Sequence, residues 1–84
     1  MISPSQCRAA RALLDWSQQK LAQQAGVGTV TIRQLEDGVH EPRRATIQVL
    51  RQAFEGAGVE FINENGGGAG VRWRKPSETK PKQE

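Results

Sequence analysis

The sequence predicts a mainly α-helical domain of four short helices followed by a C-terminal β-hairpin. Three observations lead to this fold class. Apolar residues recur at spacings of three and four through residues 4–57, as they do on one face of a helix. Capping residues and glycines divide that segment into short units. Beyond residue 58, two strand-like runs flank a glycine-rich loop. With 84 residues, the chain has room for one small domain.

The first helix is expected from Pro4 to Leu14. Ser3 can cap its N-terminus, Pro4 suits the first helical position, and Gln6 completes a capping box. Cys7 begins the apolar face of this helix. We interpret Cys7 as a small buried apolar side chain, because a reactive thiol needs a base nearby and none is evident.

Two further helices follow, joined by the short glycine-containing connection 26–28. Ser17 caps the second helix, which ends at Gly26. The third helix begins near Gly28 and ends at Gly38. The expected inward positions are Leu21, Ala22 and Ala25 in the second helix and Ile32 and Leu35 in the third. Two short helices with a tight turn between them are typical of the helix-turn-helix layout.

A fourth helix is expected from Thr46 to Glu55, after the helix-breaking Pro42. Residues 59–62 and 71–74 then predict the two strands of a hairpin, with residues 63–70 as its loop. A phosphate-binding loop is the less favoured interpretation of these glycines, because such a loop needs a following helix and a strand follows here.

The expected organisation is a helical domain at 1–58, a β-hairpin at 59–75 and a disordered polar tail at 76–84. On the hairpin, Phe61, Val71 and Trp73 share one face. A two-stranded hairpin is marginally stable alone, so this apolar face needs a cover. The chain's own fourth helix and the hairpin of a second copy are both possible covers. We favour the second copy, which makes the three side chains dimerisation residues.

Composition and charge exclude several classes of protein. The single cysteine excludes an internal disulfide, and Cys7 with His40 is too few ligands for an ordinary Cys/His zinc site, so we expect no metal or cofactor. No apolar run reaches the ~18 residues of a membrane span, and the start lacks the form of a signal peptide, so we expect a cytoplasmic protein. Residues 1–71 carry seven basic and seven acidic residues, so the net charge of +3 comes from the C-terminal end. Bulk charge is therefore weak evidence for a nucleic-acid partner.

Residues 17–38 resemble the helix-turn-helix core of the Cro/repressor-type (XRE) DNA-binding family. The features that carry the resemblance are Ser17-Gln18, Leu21-Ala22, Ala25-Gly26-Val27, Ile32 and Glu36-Asp37-Gly38. The resemblance extends over residues 4–57 and implies a four-helix Cro/repressor-like domain, which the hairpin predicted from the strand-like runs follows. One departure is Gly28, where the family prefers a polar capping residue.

The resemblance implies that the third helix lies in the major groove of DNA. Helical spacing places Thr29, Val30, Arg33 and Gln34 on its outer face, where we expect base contacts. Arg33 suits guanine, and the methyl groups of Thr29 and Val30 suit thymine. The alternative for each residue is an ordinary solvated helix face. Phosphate contacts are expected from Gln18, Thr31, Arg43 and Arg44, of which Gln18 is implied by the family.

The family also implies that Glu36 forms a structural ion pair with Arg11 across the core. Glu36 is therefore assigned a structural role and not a catalytic one. The remaining acidic residues and His40 are scattered, with no arrangement of nucleophile, base and orienting group. We therefore expect no enzymatic activity.

The leading hypothesis is a sequence-specific DNA-binding transcriptional regulator that represses by occupying operator DNA as a homodimer. One short helix contacts too few bases for specificity in a genome, which is why we expect a dimer. The alternative is a protein-interaction module, or an antitoxin, whose helices and hairpin dock a partner protein. The neutral charge of residues 1–71 favours the alternative, and the outer face of the third helix favours DNA more strongly.

Overall fold

The computed structural model describes residues 2–39, 42–64 and 66–74, and it confirms the predicted fold class. The elements are α1 (Pro4–Leu14), α2 (Gln18–Ala25), α3 (Thr29–Asp37), α4 (Arg44–Gly56), β1 (Val59–Ile62) and β2 (Gly70–Trp73). The two strands form one antiparallel hairpin. The polar tail expected at 76–84 lies outside the described residues. Within those ranges, no helix has both the length and the apolar character needed to cross a membrane.

Four of the six ends of the first three helices follow the local capping signals. The Ser3 hydroxyl accepts the backbone N–H of Gln6 at 3.0 Å, and the Gln6 side-chain oxygen accepts the backbone N–H of Ser3 at 3.0 Å. This is the predicted capping box of α1. The Ser17 hydroxyl accepts a backbone N–H in the first turn of α2 at 2.9 Å. α2 and α3 end at Gly26 and Gly38, whose φ angles of +73° and +71° favour glycine.

Two elements differ in extent from the prediction. α4 begins at Arg44, earlier than the predicted Thr46, and no side chain caps it. Arginine and alanine are good helix formers, so the helix extends back toward the proline without needing a threonine to start it. β2 covers residues 70–73 instead of 71–74, because the strand register pairs Ile62 with Gly70.

The core lies between the helices and one face of the hairpin. Phe54 of α4 is fully buried at its centre. The ring of Trp16 stacks on Phe54 with 6.0 Å between centroids, and the ring of Phe61 meets it edge-on at 5.7 Å. The buried apolar residues are Ile2, Cys7, Ala10, Leu21, Ala22, Ile32, Leu35, Ile47, Leu50, Phe54, Val59 and Phe61. One contiguous cluster therefore connects all four helices to β1.

The hairpin covers its apolar face with helices of its own chain, which changes the assignment of Phe61. This side chain is 7% exposed, and the guanidinium of Arg51 lies 5.5 Å from its ring centroid. A ring enclosed by its own chain is not available to a second copy, so Phe61 is not retained as a dimerisation residue. Val71 and Trp73 share the same face but remain partly exposed.

Gln6 attaches the hairpin to α1. Its side-chain Nε2 donates to the carbonyl oxygens of Ile62 at 3.3 Å and Gly70 at 3.0 Å, which are partners at the loop end of the hairpin. At the other end, the backbone N–H of Arg74 donates to the carbonyl of Gly58 at 2.9 Å. Gln6 therefore has a second role that the capping box does not reveal.

Candidate nucleic-acid interface

α3 has a buried inner face. Ile32, Leu35 and Glu36 are 0%, 3% and 4% exposed. Their spacings of three and four residues place them on the side of the helix that packs against α1 and α2. The inner face holds α3 in place through two apolar side chains and one carboxylate.

The opposite side of α3 faces solvent. Val30, Arg33 and Gln34 are exposed, and Val30 is 56% exposed although it is apolar. Thr29 and Thr31, in the first turn, are half-buried. The face thus combines guanidinium and amide donors with methyl groups, which is the chemistry that base edges in a major groove recognise.

A hydrogen-bonded cluster, here called the Glu36 network, fixes α3 against α1 and α2. Arg11 makes a two-pronged contact with the Glu36 carboxylate, from Nε at 2.7 Å and from Nη2 at 2.8 Å. Gln18 Nε2 donates to the same carboxylate at 3.0 Å, and the Cys7 thiol donates at 3.2 Å. The two carboxylate oxygens therefore each accept two hydrogen bonds, and a buried charge of this kind needs such partners.

The network changes the titration of its members. Burial raises the pKa of the Glu36 carboxyl, but the hydrogen bonds from Arg11, Gln18 and Cys7 lower it by more, so its pKa lies below the ordinary glutamate value. The hydrogen bond to Glu36 raises the pKa of Arg11. Burial and then the hydrogen bond to Glu36 raise the pKa of the Cys7 thiol. At neutral pH the carboxylate is charged and the thiol is protonated, which fits a structural role for Cys7.

Sequence reasoning missed part of this support. Arg8 Nη1 donates to the backbone carbonyl of Glu36 at 2.5 Å, and Arg11 Nη1 donates to the carbonyl of Trp16 at 3.0 Å. Arg8 and Arg11 are three positions apart on α1 and so point to the same side of it. The spacing of the two arginines indicates that they share one side of α1. The sequence does not show that the C-terminal turn of α3 packs against that side.

Gln18 connects the network to the surface where phosphate contacts are expected. It is the first residue of α2, and its side chain is half-buried against Glu36. One N–H of the side-chain amide is used by Glu36, which leaves the second N–H and the free backbone N–H groups of the first turn. Helix N-termini with free N–H groups favour anions.

Arg43 and Arg44 lie at the N-terminus of α4. Arg43 is the N-cap residue, Arg44 opens the helix, and both are exposed. Two cations at the positive end of a helix dipole are unfavourable without an anion nearby. Among the described residues, no carboxylate pairs with either of them. The pair thus presents positive charge to solvent.

The residues that the structure describes contain no group of His, Cys, Asp and Glu side chains that could hold a metal ion.

A comparison with protein families agrees with this geometry. A family model described as helix-turn-helix matches residues 8–60, which is more than half of the chain. A comparison with curated proteins gives no match. The matched segment begins in α1, contains α2, α3 and α4 in full, and ends in β1. The chain therefore belongs to the XRE-type helix-turn-helix family and is a DNA-binding regulator of that type.

Proposed function

We propose that the chain is a sequence-specific transcriptional repressor that acts in the cytoplasm by occupying operator DNA as a homodimer. The observation that carries the proposal is the outer face of α3. Val30, Arg33 and Gln34 are exposed there, on a helix whose inner face is held rigidly by the core and by Glu36. Side chains on a rigid element keep the geometry that base recognition needs.

Each side chain of this face has a distinct partner in the proposal. Arg33 donates two parallel hydrogen bonds to O6 and N7 of guanine, and Gln34 pairs with adenine or a phosphate. Val30 and Thr29 contact thymine methyl groups. Burial of apolar surface lowers the free energy, so contact between the exposed Val30 side chain and a thymine methyl group would favour binding.

Phosphate contacts position the domain in the proposal without contributing sequence preference. These contacts come from the N-terminal ends of three helices and are assigned to Gln18, Thr31, Arg43 and Arg44. Gln18 is oriented for this by its hydrogen bond to Glu36. Residues 1–71 have no net charge as a whole, so the local positive charge of Arg43 and Arg44 at the start of α4 supplies the attraction to the phosphates.

Selection of bound sequences from a random DNA pool tests the proposal most directly. We expect one enriched site, with two half-sites related by a two-fold axis and centred about one helical turn apart. Protection of that site in a footprinting assay, and repression of a reporter carrying it, follow from operator occupancy. A pool that shows no enrichment at physiological salt would contradict the proposal.

Substitutions of Arg33 separate base contact from phosphate contact. Arg33→Ala is expected to cost about 1–3 kcal/mol of specific binding and to relax preference at one base pair. Arg33→Lys is the matched control, since it keeps the charge but not the planar pair of donors. It should retain non-specific affinity and lose the same preference. Gln18→Ala and Arg43→Ala should instead weaken binding to all sequences alike.

The neutral charge of residues 1–71 supports a second candidate, a protein-interaction module or antitoxin that docks a partner protein. The same binding experiments separate the two. An interaction module would bind DNA weakly, with no preferred site and with loss of binding at moderate salt. A preferred site that survives physiological salt favours the repressor.

A further inference from the structure

The outer edge of the hairpin presents unused backbone hydrogen-bonding groups. The backbone N–H of Arg74 donates to the carbonyl of Gly58, which identifies these two residues as a hydrogen-bonded pair of the antiparallel register. Such pairs alternate with non-hydrogen-bonded ones. Val71 and Trp73 therefore occupy non-hydrogen-bonded positions opposite β1, and their N–H and C=O groups point away from it.

These groups at the outer edge of β2 have no other partner in the part of the chain that the structure describes. No backbone or side-chain hydrogen bond there reaches the main chain of Val71 or Trp73 from outside the hairpin. An edge strand with free donors and acceptors at alternate residues is a template for pairing with another strand.

The side chains at the same edge are the incompletely covered part of the apolar face. On β1, Val59 is 0% exposed and Phe61 is 7% exposed. On β2, Val71 and Trp73 pack on the core and remain partly exposed. The helices cover this apolar face at β1 and leave it partly exposed at β2. A strand added beside β2 would therefore extend the apolar face beyond its exposed edge.

We propose that β2 pairs antiparallel with β2 of a second copy, so that two hairpins form one four-stranded sheet. Val71 of each copy pairs with Trp73 of the other, which uses all four free N–H and C=O groups of each edge. This register is symmetric about Arg72, as a two-fold dimer requires. It places a valine beside a tryptophan on the apolar face, a favourable cross-strand combination. The inference rests on the dimer of the proposed function and specifies its interface.

Charge is compatible with this pairing. Arg72 of one copy faces Arg72 of the other, and two like charges opposite each other oppose pairing. Each Arg72 already donates to Glu60 of its own β1 at 3.1 Å. The Arg72 and Glu60 side chains of the two copies would thus carry equal and opposite charge on the outer face of the sheet, as two arginines flanked by two glutamates.

A disulfide tests the register. In a non-hydrogen-bonded antiparallel pair, the Cα atoms of Arg72 and its copy would lie about 4.5 Å apart, within the range of a disulfide. Arg72→Cys should therefore form a disulfide-linked dimer with oxidised glutathione, which accepts the two electrons. Glu60→Cys is the matched control on the same outer face. Its copies would be three strand spacings apart, about 14 Å, and should not link. Equal linking of the two variants would overturn the proposed register.

A proline at the free edge tests the backbone pairing. Val71→Pro removes an N–H that points away from β1, so the hairpin keeps its own hydrogen bonds. We expect its dimer dissociation constant to rise about tenfold or more in sedimentation equilibrium, while helical circular dichroism is retained. Val71→Thr keeps the N–H and the branched side chain and should stay dimeric.

Sedimentation without DNA keeps this inference separate from the proposed function. A wild-type dimer that selects no DNA site would leave the strand pairing standing and remove the operator proposal. A folded Val71→Pro protein that sediments as the wild-type dimer would overturn the pairing, and so would a monomeric wild-type protein at all concentrations reached.

Discussion

The Arg11–Glu36 pair and the Arg72–Glu60 pair join the same residue types at similar distances, 2.7 Å and 3.1 Å. The side chains of the first pair are 19% and 3% exposed, whereas those of the second are 61% and 38% exposed. The Glu36 carboxylate also accepts hydrogen bonds from Gln18 and Cys7. The distance between the charged groups does not by itself determine how much an ion pair contributes to stability. Burial and the number of partners that lose a hydrogen bond decide what its removal costs.

The largest effect is expected from truncating the buried carboxylate. Glu36→Ala leaves the Arg11 guanidinium and the donors of Gln18 and Cys7 without their acceptor, and loss of one partner of a buried pair costs about 3–5 kcal/mol. Thermal and urea unfolding measure the change. In a domain with a total stability of about 5 kcal/mol, about 0–2 kcal/mol would remain, so the variant should unfold at a much lower temperature than the wild type.

Replacing the arginine as well tests whether the unpaired charge is the cause. The double variant Arg11→Met, Glu36→Ala should recover part of the lost stability, because it removes the buried charge and fills its space with an apolar chain. Glu60→Ala is the exposed control and should change little. If Glu36→Ala and Glu60→Ala unfold at the same temperature, burial does not distinguish the two pairs.

Acid should weaken the same network without a mutation. The pKa of Glu36 is lowered in the folded protein, so its contribution to stability is present above the unfolded glutamate pKa of about 4.3 and is lost as the pH falls through the folded value. Unfolding followed from pH 7 to pH 2 should show this loss. The slope of stability against pH in the acid range should be shallower in the Arg11→Met, Glu36→Ala variant, which lacks the carboxyl. Identical slopes would contradict the lowered pKa.

The contribution of a single donor can be isolated at Cys7. Its thiol lies 3.2 Å from a Glu36 oxygen, and the side chain is fully buried. Cys7→Ala removes both the donor and its volume and should cost about 1–2 kcal/mol. Cys7→Ser keeps a donor at the same place and should cost less in chemical denaturation. If serine costs more than alanine, the hydrogen bond to Glu36 is not what stabilises the fold at this position.

The smallest effect is expected at the exposed pair. A double-mutant cycle of Glu60→Ala and Arg72→Ala should give a coupling free energy of about 0.2–1 kcal/mol, because both side chains are solvated. The coupling should fall further at high salt, which screens exposed charges. The cycle should be measured at a protein concentration below the dimer dissociation constant, so that subunit association does not contribute to the measured stability. A coupling above about 2 kcal/mol would place this pair in the same class as the buried one.

Most of the fold could be predicted because its signals are local. The capping box of Ser3 and Gln6, the cap at Ser17 and the glycines at 26 and 38 mark helix ends through contacts a few residues apart. The outer face of α3 follows from spacing once Ile32 and Leu35 are assigned inward. The predicted start of α4 was wrong, because no side chain caps this helix. The helix begins at Arg44 because of the helix propensity of its residues, which is a weaker signal in the sequence than a capping residue.

The sequence by itself determined the four helices, the hairpin and the residues that α3 turns outward, because all of these depend on periods and caps within short segments. Tertiary structure alone decided that Phe61 is enclosed by its own chain and that Gln6 holds the hairpin against α1. It also decided that Cys7 and Gln18 converge with Arg11 on Glu36, across separations of 29, 18 and 25 positions in the chain. Family resemblance suggested the arginine, but residue types alone do not show which distant donors a buried carboxylate will meet. That is settled when the helices pack and the charge must find partners in place of water.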